Sequence, residues 1–172
     1  MEYGTFEGQL VIDRENDSEW GYLAVSDEIR QKCFDLLGLG MIGFTLPDYE
    51  AHVSAFDENE VRQIPQDFWF EGKWCEFTLS HLRVVDPEGW EEVNACVILC
   101  VKCKPLEHLR KALGFPPLMY GDHEFHITIG ISDKKIDGCI ENVVRLFNEY
   151  LKDDLGEVLK EHDVNYSAGD GK

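Results

Sequence analysis

Glu124-Phe125-His126-Ile127-Thr128-Ile129-Gly130 alternates apolar and polar residues, the pattern of a strand with one face in a core. Residues two apart on a strand point to the same side. His126 and Thr128 therefore project together, with Phe125, Ile127 and Ile129 on the other face. Ala51-His52-Val53-Ser54-Ala55-Phe56 repeats the arrangement upstream, with His52 and Ser54 sharing a face. Two strands that each pair an imidazole with a hydroxyl, away from the apolar face, are the main chemical signal in the chain.

Working outward from the two His strands, the remaining elements follow from periodicity and punctuation. Residues 3–12 read as a strand, 13–18 as a polar loop, and Trp20 to Val25 as a second strand. Ser26 is a good N-cap, and Asp27 and Glu28 suit the first turn of a helix that carries Ile29, Cys33, Phe34 and Leu37 and ends at Gly38 and Gly40. Met41 to Tyr49 is a connection into the first His strand. Asp57 to Gln66 is a polar segment broken by Pro65, followed by the aromatic cluster Phe68-Trp69-Phe70. Trp74 to Val85 is a long strand on which Cys75, Phe77, Leu79 and His81 share a side. Asp86-Pro87-Glu88-Gly89 is a turn, and Glu92 to Val101 returns to make an antiparallel hairpin. Pro105 opens a helix with Leu106, Leu109 and Leu113 on one face, closed by Gly114. A loop from Phe115 to Asp122 leads to the second His strand. A last helix spans about Asp137 to Asp153, and Leu155, Val158 and Leu159 extend it or form a short one. Strand, helix, His strand therefore occurs twice.

The 172 residues fit one domain over 1–162, with a disordered tail over 163–172. A hydrophobic share of 44% is that of a globular chain, and no apolar run reaches membrane-spanning length. The N-terminus lacks a basic region followed by an apolar one, so a cytoplasmic location is expected. Six cysteines in such a chain read as reduced thiols, and those in Ala95–Val101 as small core residues. Cys100-Val101-Lys102-Cys103 has no second ligand pair, and on a strand its thiols face opposite ways, so no metal is assigned to it. His81, His108 and His162 have no partner at useful spacing, and His108 reads as solvated. The formal charge of −18 repels polyanions. A small anionic ligand, not a long duplex, is the expected partner, with no membrane contact and a monomeric state.

His52-Val53-Ser54-Ala55 and His126-Ile127-Thr128-Ile129 resemble the paired His-x-Thr/Ser-x motifs of the 2H phosphoesterase superfamily. The hairpin, the apolar strand at 95–101, the Leu106–Leu113 helix and the loop into His126 follow that family's layout, over roughly residues 20 to 150. Ser54 stands where Thr is common. The closing strands that many members carry after the last helix are not evident. The resemblance implies an α+β, bilobal fold: two antiparallel sheets with flanking helices around a central cleft. It makes His52 and His126 the general acid and base, Ser54 and Thr128 the phosphate binders, and requires no metal or other cofactor. Histidine suits both proton-transfer jobs because its ordinary pKa lies near neutrality. Base stacking would fall to Tyr22, Trp74 and Tyr120, with Phe68 and Trp69 as further candidates. Whether His123 enters the site depends on a bulge, because three residues separate it from His126.

The implied activity is that of a metal-independent phosphodiesterase. Its substrate would be a small or short nucleotide with a 2′,3′-cyclic phosphate or a 2′-5′ linkage, which includes the cyclic oligonucleotide immune signals that phage enzymes of this type degrade. The alternative is a non-catalytic nucleotide-binding module with the same cleft.

Overall fold

The computed structural model describes residues 5–15, 19–87 and 89–150. The expected helical extension at 155–159, the tail over 163–172 and both ends of the 1–162 domain lie outside them. So does His162.

The chain is α+β. Strands β1 (Thr5–Asp13) and β2 (Trp20–Ala24) precede helix α1 (Asp27–Leu36), a 3-10 turn (Leu39–Ile42) and β3 (His52–Phe56). Helix α2 (Glu58–Gln63), β4 (Trp74–Val85), β5 (Ala95–Lys102), α3 (Lys104–Ala112), β6 (His126–Ser132) and α4 (Gly138–Tyr150) follow. Ser26 caps α1 by accepting the Glu28 amide, and Gly38 beyond its end takes φ +63°, which favours a residue with no Cβ. The polar segment after Phe56 holds α2, which the sequence reading missed. Its start is a capping box in which Asp57 accepts the Glu60 amide and Glu60 accepts the Asp57 amide.

Hydrogen bonding joins the six strands of the described residues into one closed antiparallel sheet in the order β1-β2-β3-β6-β5-β4. Two sheets were expected. Instead β1-β2-β3 and β4-β5-β6 form two three-stranded halves of a single sheet. They join where β3 meets β6, at Val53 and Ile127, and again where β1 meets β4. The repeat of strand, helix and His strand appears as β2-α1-β3 and β5-α3-β6.

Both His strands change register immediately after their hydroxyl residue. Gly21 and Tyr22 of β2 pair with Phe56 and Ser54, which skips Ala55. Val97 and Ile98 of β5 pair with Gly130 and Thr128, which skips Ile129. A bulge bends its strand and increases local twist, so both motifs sit where the sheet curves.

A third bulge corrects the reading of β4. Leu79 pairs with Val101 and His81 with Cys100, which leaves Ser80 over. The extra residue inverts the alternation. Cys75 and Phe77 face the core, whereas His81 turns to the opposite face, level with Cys100.

The core takes Leu23, Val53, Phe77, Leu99 and Ile127 from the sheet, with Ile29, Val61, Leu106 and Ile140 from α1 to α4. Leu99 and Ile127 are fully buried. Each such side chain stabilises the fold by about 1.5–3 kcal/mol. At Gly130 a Cβ would lie 3.0 Å from Leu39 and 3.5 Å from Phe34, so the missing side chain lets the α1 region lie close against β6.

Candidate functional site

The unburied faces of β2, β3 and β6 form the wall of a groove. His52 and Ser54 on β3, and His126 and Thr128 on β6, all line it, while Val53 and Ile127 between them are buried. One arm has a volume of about 970 Å³ and an adjoining arm about 870 Å³; Ser54, Trp90, His126 and Thr128 line both. Ser54, His126 and Thr128 thus sit where the two arms meet, with His52 beside them in the first arm.

Their relation is close to two-fold. Val53 lies opposite Ile127 in antiparallel register. One step either side of that pair, His52 comes across from Thr128 and His126 across from Ser54. Each imidazole Nδ1 lies 3.0 Å from the carbonyl oxygen two residues before it, Glu50 for His52 and Glu124 for His126. In the neutral ring this contact makes Nδ1 the donor and leaves the Nε2 lone pair free.

Both rings have pKa values below the ordinary imidazole range. For His52 the main cause is burial, with the Arg30 and His126 charges acting in the same direction. For His126 it is again burial, with His123 and Arg83 adding to it. In both cases the carbonyl contact opposes the shift.

Their surroundings differ. His52 is wrapped by aromatic rings: Trp20 at 4.7 Å, Tyr49 at 5.3 Å and Tyr22 at 5.8 Å between centroids. Trp20 stacks on Tyr22 at 4.2 Å. The approach to β3 is fixed by α1. Asp27 Oδ1 accepts the Ala51 amide at 2.7 Å, and Arg30 donates to the Tyr49 carbonyl at 2.6 Å and to Asp27 at 3.2 Å.

Of the expected stacking residues, Tyr22 lines the first arm and Tyr120 the second. Tyr120 lies against His123, 5.1 Å between centroids, and both line the arm beside His126. Trp74 does not line the groove. It starts β4 opposite Gln9, nine residues before Arg83, which is roughly 30 Å of strand away from the groove-lining end. Phe68 is buried in the core and Trp69 packs on Phe70, so neither lines it. Trp20, Tyr49 and Trp90 were not singled out from sequence. Trp20 was legible, because it shares the strand face of Tyr22; Trp90, in the turn after β4, carries no such signal.

The groove has little fixed positive charge. Among its lining residues Arg83 is the one Arg or Lys, against Asp27, Glu28 and Glu50 in one arm and Asp86, Asp122 and Glu124 in the other. An anion bound at the centre would rely on imidazolium and hydroxyl donors. That suits a ligand with one or two phosphates better than a long polyanion. Among the described residues no helix is long and apolar enough to cross a membrane.

No protein-family model matches the chain, and neither a curated protein nor a solved structure matches it.

Proposed function

We propose that this protein is a metal-independent phosphodiesterase of the 2H type, acting on a small or short nucleotide with a 2′,3′-cyclic phosphate or a 2′-5′ linkage. The observation that carries the reading is the reciprocal placement of the two motifs about Val53 and Ile127, with both Nδ1 atoms tied to the backbone. The two halves of the sheet stand in for the two lobes of that family, and the groove for its cleft.

In this reading a phosphorus centre sits between the Nε2 atoms. One neutral imidazole takes the proton from the attacking oxygen, water for a cyclic phosphate or the neighbouring ribose hydroxyl for a 2′-5′ linkage. The other, as imidazolium, gives its proton to the leaving oxygen. Ser54 and Thr128 donate to the non-bridging oxygens, where charge is rearranged in the transition state. Trp20, Tyr22 and Tyr49 make an apolar platform beside His52 for a base or sugar. The acidic rim favours small substrates, and cyclic oligonucleotide signals fall within that class. A monomer acting in the cytoplasm is the corresponding setting.

The test is a panel of 2′,3′-cyclic mononucleotides, 2′-5′ dinucleotides and cyclic di- and trinucleotides, each incubated with the protein in EDTA. Turnover of at least one, lost in His52→Ala and His126→Ala, is the expected result. Tight capture of a nucleotide without product would replace the enzyme by a binding module.

A further inference from the structure

A second cluster of reactive side chains lies on the same sheet face, across β4, β5 and the approach to β6. His81 on β4, Cys100 on β5 and Glu124 in the approach to β6 place one ring nitrogen, the thiol sulfur and one carboxylate oxygen within 4.8 Å of one another. They come from three separate segments. His81 pairs directly with Cys100, and Cys100 pairs in turn with His126, so the register sets these three at one level of the sheet, with Glu124 two residues before His126.

The cluster is built, not incidental. The bulge at Ser80 is what turns His81 onto this face. The Ser80 hydroxyl then lies 2.8 Å from His81 Nδ1, and Nε2 lies 3.9 Å from a Glu124 oxygen. One ring nitrogen held by a neighbouring hydroxyl, with the other facing a carboxylate, is the arrangement in which a metal-bound histidine is oriented by its surroundings. A thiolate, an imidazole and a carboxylate form a donor set that suits zinc.

We infer that His81, Cys100 and Glu124 form a binding site for Zn2+, with a water in the fourth position. Zinc bonds of about 2.0–2.3 Å put tetrahedral ligand atoms some 3.3–3.8 Å apart, so the three groups need to close by about 1 Å. Glu124 and His81 are partly exposed and free to make that adjustment, while Cys100 is fixed in the sheet. Binding replaces the Cys100 S–H bond by an S–Zn bond and releases the proton to water. Arg83 reaches Glu124 at 3.8 Å. Its side chain is 52% exposed, so it can swing out as the metal takes its place. The Glu124 carbonyl also holds His126 Nδ1, so zinc would tether the segment that orients that ring.

The test uses the full chain, reduced and stripped with EDTA, titrated with Co2+ as a coloured substitute for zinc. One equivalent should develop a thiolate-to-cobalt charge-transfer band, which Zn2+ then abolishes. His81→Ala and Cys100→Ser should each remove the band, and Ser80→Ala should weaken binding about 10–100-fold. If Cys100→Ser does not fold, the partly exposed His81→Ala carries the test. No thiolate band in the wild type, or a band that persists in either ligand variant, overturns the site. None of these readouts uses turnover, so they are independent of the phosphodiesterase reading.

Discussion

Asp27 and Ala51 are joined by a hydrogen bond of 2.7 Å, from the Ala51 amide to the Asp27 carboxylate. The same carboxylate holds Arg30, which grips the Tyr49 carbonyl. Between these two anchors lies Glu50, whose carbonyl receives His52 Nδ1. Asp27 is therefore a positioning residue for His52. Asp27→Ala should destabilise the fold by about 1.5–3 kcal/mol, the range for hydrogen bonds with a charged partner. It should also lower kcat more than it changes KM, because the ring is present but misplaced. Asp27→Asn keeps an acceptor and should recover part of kcat. Equal loss of kcat in Asp27→Asn and Asp27→Ala would count against positioning.

The motif residues should separate by role. His52→Ala and His126→Ala should each lower turnover by about 10²–10⁴-fold, the usual contribution of general acid–base catalysis. Ser54→Ala and Thr128→Ala should each cost about 10²–10³-fold in kcat, as for loss of one oxyanion donor. Circular dichroism and melting temperature should stay near wild type in all four, because none of these side chains belongs to the core. Turnover that survives either histidine change would remove the two-imidazole mechanism.

The legible parts of this molecule were those written in strict alternation. His52 with Ser54, and His126 with Thr128, could be placed on one face because a strand has period two. What alternation cannot encode is a bulge. Ser80 inverted the face of His81, and that brought it to Cys100 and Glu124, partners with no sequence spacing to announce them. Trp74 was misassigned for a related reason. Its strand was recognised, but how far along that strand the groove lies is set by pairing with β5. Helix α2 carried its signature in Asp57 and Glu60, yet its one buried residue, Val61, gave no periodic stripe. The repeated order of strand, helix and His strand was visible; the closure of one sheet through β1 and β4 is a long-range event that no local pattern records.

Arg110 shows the same limit and gives a stability prediction. On sequence it is one more charge on α3, but it is fully buried and makes bonds of 2.8 and 2.7 Å to the two Glu60 oxygens. It also donates to the carbonyls of Ala55 and Pro116 at 2.6 and 2.8 Å. Removing one partner leaves the other charge buried without compensation, at about 3–5 kcal/mol. Glu60→Ala should therefore lower the urea midpoint markedly, with an unchanged slope. A shift under about 1 kcal/mol would mean that the carbonyls alone satisfy the guanidinium.

The ionisation of His52 gives the pH dependence. Arg30 of α1 and His126 of β6 add their charges to the effect of burial, the Glu50 carbonyl acts against them, and Trp20, Tyr22 and Tyr49 enclose the ring. The net displacement is downward from 6.5. In the unfolded chain the ring keeps its ordinary value, so between the two values the unfolded state binds more protons. The contribution to stability is full above about 6.5 and is lost as pH falls through the folded value. In an NMR titration the His52 ring should therefore have its midpoint below the ordinary imidazole value of 6.5, and bound inorganic phosphate should raise it by favouring imidazolium. A His52 midpoint at or above 6.5 in the free protein would contradict that burial.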